Sequence, residues 1–314
     1  MAERTIRMLS LILVLLLAWQ VLPVAAQADG TEAVLEGGEK LDWVCGVPFT
    51  DPGCRVPKGS TVSAEGEVCV WRPGYYTIRY RVTEQTGAEH MLYRRVHVIP
   101  AQLPETVPVP KAVYLTFDDG PSEFTANVLD TLAAYGAKAT FFIVAKSVDT
   151  EEERALLRRI VREGHSLGIH CYEHVYERIY QNEEHFFQDL LRAQEVIYAA
   201  TGQYATVTRF PGGSRTAGMM VSQLPGKYDE LNRLMHGMGL RYYDWSIQPE
   251  LGKSAYQTVY NFSHPKEPYS GDISLQHDTR EFSVKAVDEM LAWGTAQGYV
   301  FLPIDTTTPE IHFR

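Results

Sequence analysis

Asp118 and Asp119 stand side by side at the end of an apolar run, VYLTFDDGPS at residues 113–122. Two carboxylates in contact repel each other, and beside an apolar core each needs a cation or hydrogen-bond donors. The stretch therefore predicts a positive partner. HCYEH, residues 170–174, suggests a metal: His170 and His174 lie four apart, a spacing that one helical turn presents on a single face. Two imidazoles and one carboxylate make a three-ligand set for Zn²⁺, or Co²⁺ in its place, with a position left for water. TRFPGGSR (208–215) offers a second cation. The Arg209 guanidinium suits bidentate contact with a carboxylate, and the Pro-Gly-Gly bend frees backbone N–H groups for a substrate oxygen. DISLQHD (272–278) ends an apolar run in His277, a residue type whose ordinary pKa suits a general acid or base.

All four signals follow strand-like runs. From Lys111 onward such runs alternate with helical patterns: AVYLTF, NVLDTLAAYG, ATFFIV, EEERALLRRIVREG, SLGIH, then EEHFFQDLLRAQEVIYAATG. That alternation predicts an α/β domain with a mainly parallel sheet, open or closed into a barrel, with its site at the carboxyl ends of the strands. Upstream, YYTIRYRV and MLYRRVHVI flank the turn EQTGAEH, a hairpin pattern within an all-β segment. IPAQLPETVPVP then reads as a stiff linker. Residues 1–28 carry Arg4 and Arg7, the apolar MLSLILVLLLAW and a small-residue Ala-Gln-Ala close, the pattern of a signal peptide or an uncleaved anchor. The expected division is 1–28 signal, 29–100 β domain, 101–110 linker and 111–314 α/β domain. The chain would be secreted or held at the wall or membrane, touching membrane only through that first segment.

A formal charge of −10 over 314 residues argues against nucleic-acid binding. Cys45, Cys54 and Cys69 cluster while Cys171 stands alone, so export predicts one bridge within the first three.

TFDDGPS, HCYEH, RFPGG, YYDWS and ISLQHD, in this order, resemble the five motifs of the polysaccharide deacetylases, the fourth carbohydrate esterase family. The resemblance spans about residues 111–305. It implies a distorted, incomplete (β/α) barrel that removes acetyl groups from sugars of peptidoglycan, chitin or xylan. It implies that Asp118 is the catalytic base, paired with Arg209, and that Asp119, His170 and His174 bind the metal. It further assigns His277 as the general acid, Gly212 as an oxyanion donor, and Trp245 and Leu275 as walls of the acetyl pocket. The β segment resembles bacterial immunoglobulin-like modules, which points to peptidoglycan N-acetylglucosamine as the glycan partner, ahead of chitin oligosaccharides or acetyl xylan.

Three positions depart from the family pattern. Cys171 stands where Ser or Thr is usual, and is a possible soft ligand. RFPGG lacks the tyrosine of the commoner Arg-Pro-Pro-Tyr-Gly, which opens the site by one ring. Gln248 occupies the place, three after Trp245, of the carboxylate that orients the histidine; Asp244 and Glu250 are the nearby substitutes. A catalytically weak glycan-binding protein is the rival of another class, but binding alone does not require all six polar residues. A phosphate-using enzyme is excluded, because PELGKS has Ile247 where G-x-x-x-x-G-K-[ST] needs its first glycine.

Overall fold

The computed structural model describes residues 32–220, 227–265 and 269–313; the signal segment falls outside them. Among the described residues no helix is long and apolar enough to cross a membrane. The amino-terminal part holds β1 (Val34–Leu35), β2 (Lys40–Val44), β3 (Cys54–Arg55), β4 (Thr61–Glu65), β5 (Gly74–Thr83) and β6 (Glu89–Ile99). β5 and β6 form the expected antiparallel hairpin, inside a four-stranded sheet of order β2-β6-β5-β4. Alternation along β5 sends Ile78, Tyr80 and Val82 into a small core. Cys45 lies in that core, and all four cysteines are free thiols, so the expected bridge is absent.

The linker is not a free spacer. Ala101 N donates to Gly237 O at 2.7 Å, Pro104 O accepts from Arg241 Nη2 at 2.7 Å, and Val107 N donates to Thr307 O at 2.6 Å. The β module also rests on the second domain, with Trp71 stacked on Phe187 and Arg72 bonded to Glu183 at 2.5 Å. A chain bonded at this many points has little freedom left to act as a tether.

The second part runs β7 (Ala112–Asp118), α1 (Thr125–Ala134), β8 (Ala139–Val144), α2 (Glu151–Arg162), β9 (Ser166–Cys171), α3 (Tyr176–Ile179) and α4 (Glu183–Thr201). β10 (Val207–Thr208), α5 (Gly213–Met220), α6 (Lys227–Gly237), β11 (Arg241–Tyr242), α7 (Ala255–Ser263), β12 (Asp272–His277), α8 (Glu281–Ala296) and β13 (Val300–Phe301) follow. The strands pair in parallel in the order β11-β10-β9-β8-β7-β12, with β13 beside the start of β7. One isolated bridge, Ile247 to Ser274, joins the segment after β11 to β12. This is the parallel sheet that the alternation predicted, curled into the incomplete barrel that the family resemblance implied.

β7 is buried along its whole length, as a parallel strand covered on both faces must be. Val113, Leu115 and Phe117 join the core under the helices, while Ala112 and Tyr114 pack inside the barrel with Phe142, Val207 and Ile273. Strand alternation puts Thr116 and Asp118 on the inner side too. The inner layer therefore changes from apolar to polar toward the carboxyl end, where the chemistry collects.

Candidate active site

Asp118 closes β7, and the sheet register sets it beside His277 of β12. Its Oδ1 accepts from Arg209 Nη1 at 2.8 Å. The wholly buried guanidinium donates three further bonds, to Thr116 Oγ1 at 2.6 Å, Tyr243 O at 2.9 Å and Asp244 O at 3.1 Å. Its face lies over the Phe142 ring, 4.3 Å from the centroid, a contact the sequence reading missed. Asp118 thus has its counter-ion inside the protein.

Asp119 differs in every respect. Its backbone is left-handed, φ 72°, which turns its side chain away from the direction the strand would give it. Oδ1 lies 3.4 Å from His170 Nε2 and 3.6 Å from His174 Nε2, and Oδ2 lies 3.8 Å from His277 Nε2. Oδ1 is buried and has no hydrogen-bond partner among the described residues. His170 Nδ1 is 2.8 Å from Arg209 O. A carbonyl only accepts, so Nδ1 carries the proton and the Nε2 lone pair faces Asp119. Burial lowers the His170 pKa against the pull of Asp118 and Asp119, which keeps that lone pair free. One ligand atom from each of Asp119, His170 and His174 falls within 4.8 Å of the others. An orphaned carboxylate oxygen facing a histidine lone pair fits a divalent cation.

HCYEH is not helical. His170 lies in β9, and the β8–β9 register pairs Ile143 with Ile169 but Val144 with Cys171. The slip leaves His170 as an extra residue, a bulge of the kind that re-aims a side chain. His174 follows in the loop before α3. Asp189 of α4 pins that loop by accepting from Tyr172 N at 2.8 Å and Glu173 N at 3.1 Å. Its signal in the sequence was a lone carboxylate within the largely apolar FFQDLL. Cys171 packs in the helix-side core and lies outside the donor cluster, so the soft-ligand reading is withdrawn; burial pushes its thiol pKa up.

His277 does have a carboxylate partner. Glu250, in the 3₁₀ turn Pro249–Gly252, holds His277 Nδ1 at 2.7 Å with Oε2 and the His277 backbone N–H at 2.8 Å with Oε1. Arg280 Nη1 donates to the same Oε2 at 2.7 Å. Gln248 is exposed and plays no part, so the gap read at that position is filled two residues later. Asp244 is occupied elsewhere, accepting from Ser214 and from Phe313 N. Burial disfavours a charged imidazole, yet the Glu250 bond and the charges of Asp118 and Glu250 outweigh it, and the His277 pKa is raised. Asp278 is turned away from the site, accepting from Thr125 Oγ1 at 2.5 Å, and burial pushes its carboxyl up to about 7.

Gly212 and Gly213 follow Arg209 with φ of 74° and 79°. Gly213 N donates to Phe210 O and Ser214 N to Asp244; the Gly212 N–H has no partner among the described residues. Tyr180 supports the bend by donating to Pro211 O at 2.8 Å. Trp245 is half-buried, its ring 5.7 Å from the Arg209 guanidinium carbon. Leu275 lies two residues before His277 on β12, opposite Thr116 in the register. A cavity of about 140 Å³ lined by His165, Ser166 and Thr206 lies at the opposite end of β9 and contains none of these residues.

Comparison with known proteins agrees with this fold. Residues 106–225 match the family model described as polysaccharide deacetylase, and residues 33–98 match that of the bacterial surface protein Ig-like domain. A peptidoglycan-N-acetylglucosamine deacetylase of Bacillus cereus is 32% identical over 65% of this chain and 71% of its own length. A Listeria monocytogenes protein of the same description is 30% identical over 65% of this chain, which spans only 42% of that relative. Among solved structures, the catalytic domain of peptidoglycan N-acetylglucosamine deacetylase from Eubacterium rectale is similar with a TM-score of 0.56 and 35% identity. That match covers 68% of this chain and 96% of that one.

Proposed function

The chain belongs to the polysaccharide deacetylase family, and we propose that it hydrolyses the acetamide of N-acetylglucosamine in peptidoglycan, with a divalent ion held by Asp119, His170 and His174. Zn²⁺ suits this oxygen-and-imidazole set best. The observation that carries the reading is the unpaired, buried Asp119 Oδ1 facing two imidazole nitrogens. The ion supplies Lewis acidity, polarising the acetamide carbonyl and making water a stronger nucleophile at neutral pH.

The remaining work falls to groups of this chain. Asp118, paired with Arg209, takes a proton from the attacking water. The free Gly212 N–H faces the carbonyl oxygen as it gains charge. Trp245 and Leu275 wall the acetyl methyl. His277, with its pKa raised by Glu250, stays protonated to higher pH and donates to the departing sugar amine. The β module and the bonded linker, residues 29–110, carry this domain at the wall, beyond a signal segment at 1–28.

Chelation followed by dialysis should abolish acetate release from peptidoglycan, and added Zn²⁺ or Co²⁺ should restore it. Full activity in metal-free protein would overturn the metal assignment. A higher kcat/KM on chitin oligosaccharides or acetyl xylan than on peptidoglycan would overturn the substrate alone.

A further inference from the structure

After β13 the chain returns across the barrel and ends its described course beside the candidate site. The Glu310 carboxylate latches this segment, accepting from Arg241 Nη1 at 2.8 Å and lying 3.1 Å from His236 Nε2. Ile311 O accepts from Asp244 N at 2.8 Å, and the His312 ring stacks on Tyr242 at 3.8 Å. Phe313 N then donates to Asp244 Oδ2 at 2.7 Å. These contacts deliver the Phe313 ring edge-on to Trp245, with centroids 4.6 Å apart and planes at 83°. The two rings meet over Gly213, where an added Cβ would lie 3.0 Å from Trp245 and 3.1 Å from Phe313. RFPGG offers no side chain at 212 or 213, so this corner is closed by a ring carried from about a hundred residues away.

We propose that Phe313 is a specificity-determining positioning residue: by bracing Trp245 it fixes the depth of the acyl pocket and restricts the enzyme to acetyl groups. This rests on the reading of Trp245 as a wall of that pocket. An edge-to-face ring pair resists displacement of either ring, so an acyl group one methylene longer meets a wall that cannot yield. Without Phe313, Trp245 has room to swing toward the vacated space. One methylene in a fitted pocket changes kcat/KM by about 10–200-fold, which sets the range available.

The test compares N-acetylated with N-propionylated glucosamine oligomers in the full chain. Wild type should prefer acetyl. Phe313→Ala should lower that kcat/KM preference by about 10-fold, chiefly by raising the propionyl rate, and Phe313→Leu should lower it less. Glu310→Gln, which loosens the latch without touching either ring, should move the ratio in the same direction. Equal loss on both substrates, or an unchanged ratio in all three variants, would overturn the proposal. A wild-type protein that released no acetate at all would instead overturn the functional reading beneath it.

Discussion

The two aspartates that meet at the end of β7 open onto opposite halves of the site. On the Arg209 side the guanidinium makes four bonds, to Asp118, Thr116 and two carbonyls, all buried. On the Asp119 side a buried oxygen is left bare and a histidine lone pair points at it. The paired half is held by the fold itself; the bare half has the donor set that would hold a divalent ion. Stability and metal binding should therefore separate along the line between Asp118 and Asp119, and substitutions on either side can break that claim.

The largest stability effect belongs to the paired half. Arg209→Ala strands the Asp118 carboxylate inside the barrel, and unpairing a buried charge costs about 3–5 kcal/mol. Thermal unfolding of the metal-free variant should drop accordingly. Asp119→Ala in the same assay should cost far less, since the Oδ1 it removes has no hydrogen-bond partner among the described residues. Equal destabilisation by both would erase the distinction.

A smaller effect probes the arm that joins the halves. Glu250→Gln removes the charge that, with that of Asp118, raises the His277 pKa. A general acid works only while protonated, so activity falls as pH rises through its pKa, and lowering that pKa moves the alkaline limb of kcat/KM downward. Gln248→Asp should leave the limb in place, because residue 248 is exposed and Glu250 already holds Nδ1. A limb that moves with residue 248 instead would reverse the assignment.

Much of this was legible in the chain because strand alternation and short motifs are local. Asp118, Asp119, Arg209 and His277 could each be placed at a strand end from neighbouring residues alone. Cys171 could have been placed as well: adjacent strand residues face opposite sides, so a site-facing His170 sends Cys171 into the core. The spacing of HCYEH misled because four residues make a helical turn, whereas here a bulge and a loop bring the rings together. Glu250 could be named only as one of two nearby substitutes, and Asp189 and Phe313 were harder to read. Each acts across 16 to 69 residues of sequence, on His277, Glu173 and Asp244 among others, and only the closing of the barrel makes them neighbours.

The division of labour between the aspartates is tested most directly by metal analysis and acetate release on Asp118→Asn and Asp119→Ala, prepared in parallel. Asp118→Asn should bind metal at the wild-type ratio yet lose about 10²–10⁴-fold in turnover, the usual share of a general base. Asp119→Ala should lose the metal and the activity together. Equal metal loss in both variants, or turnover in Asp118→Asn near the wild-type value, would contradict the account.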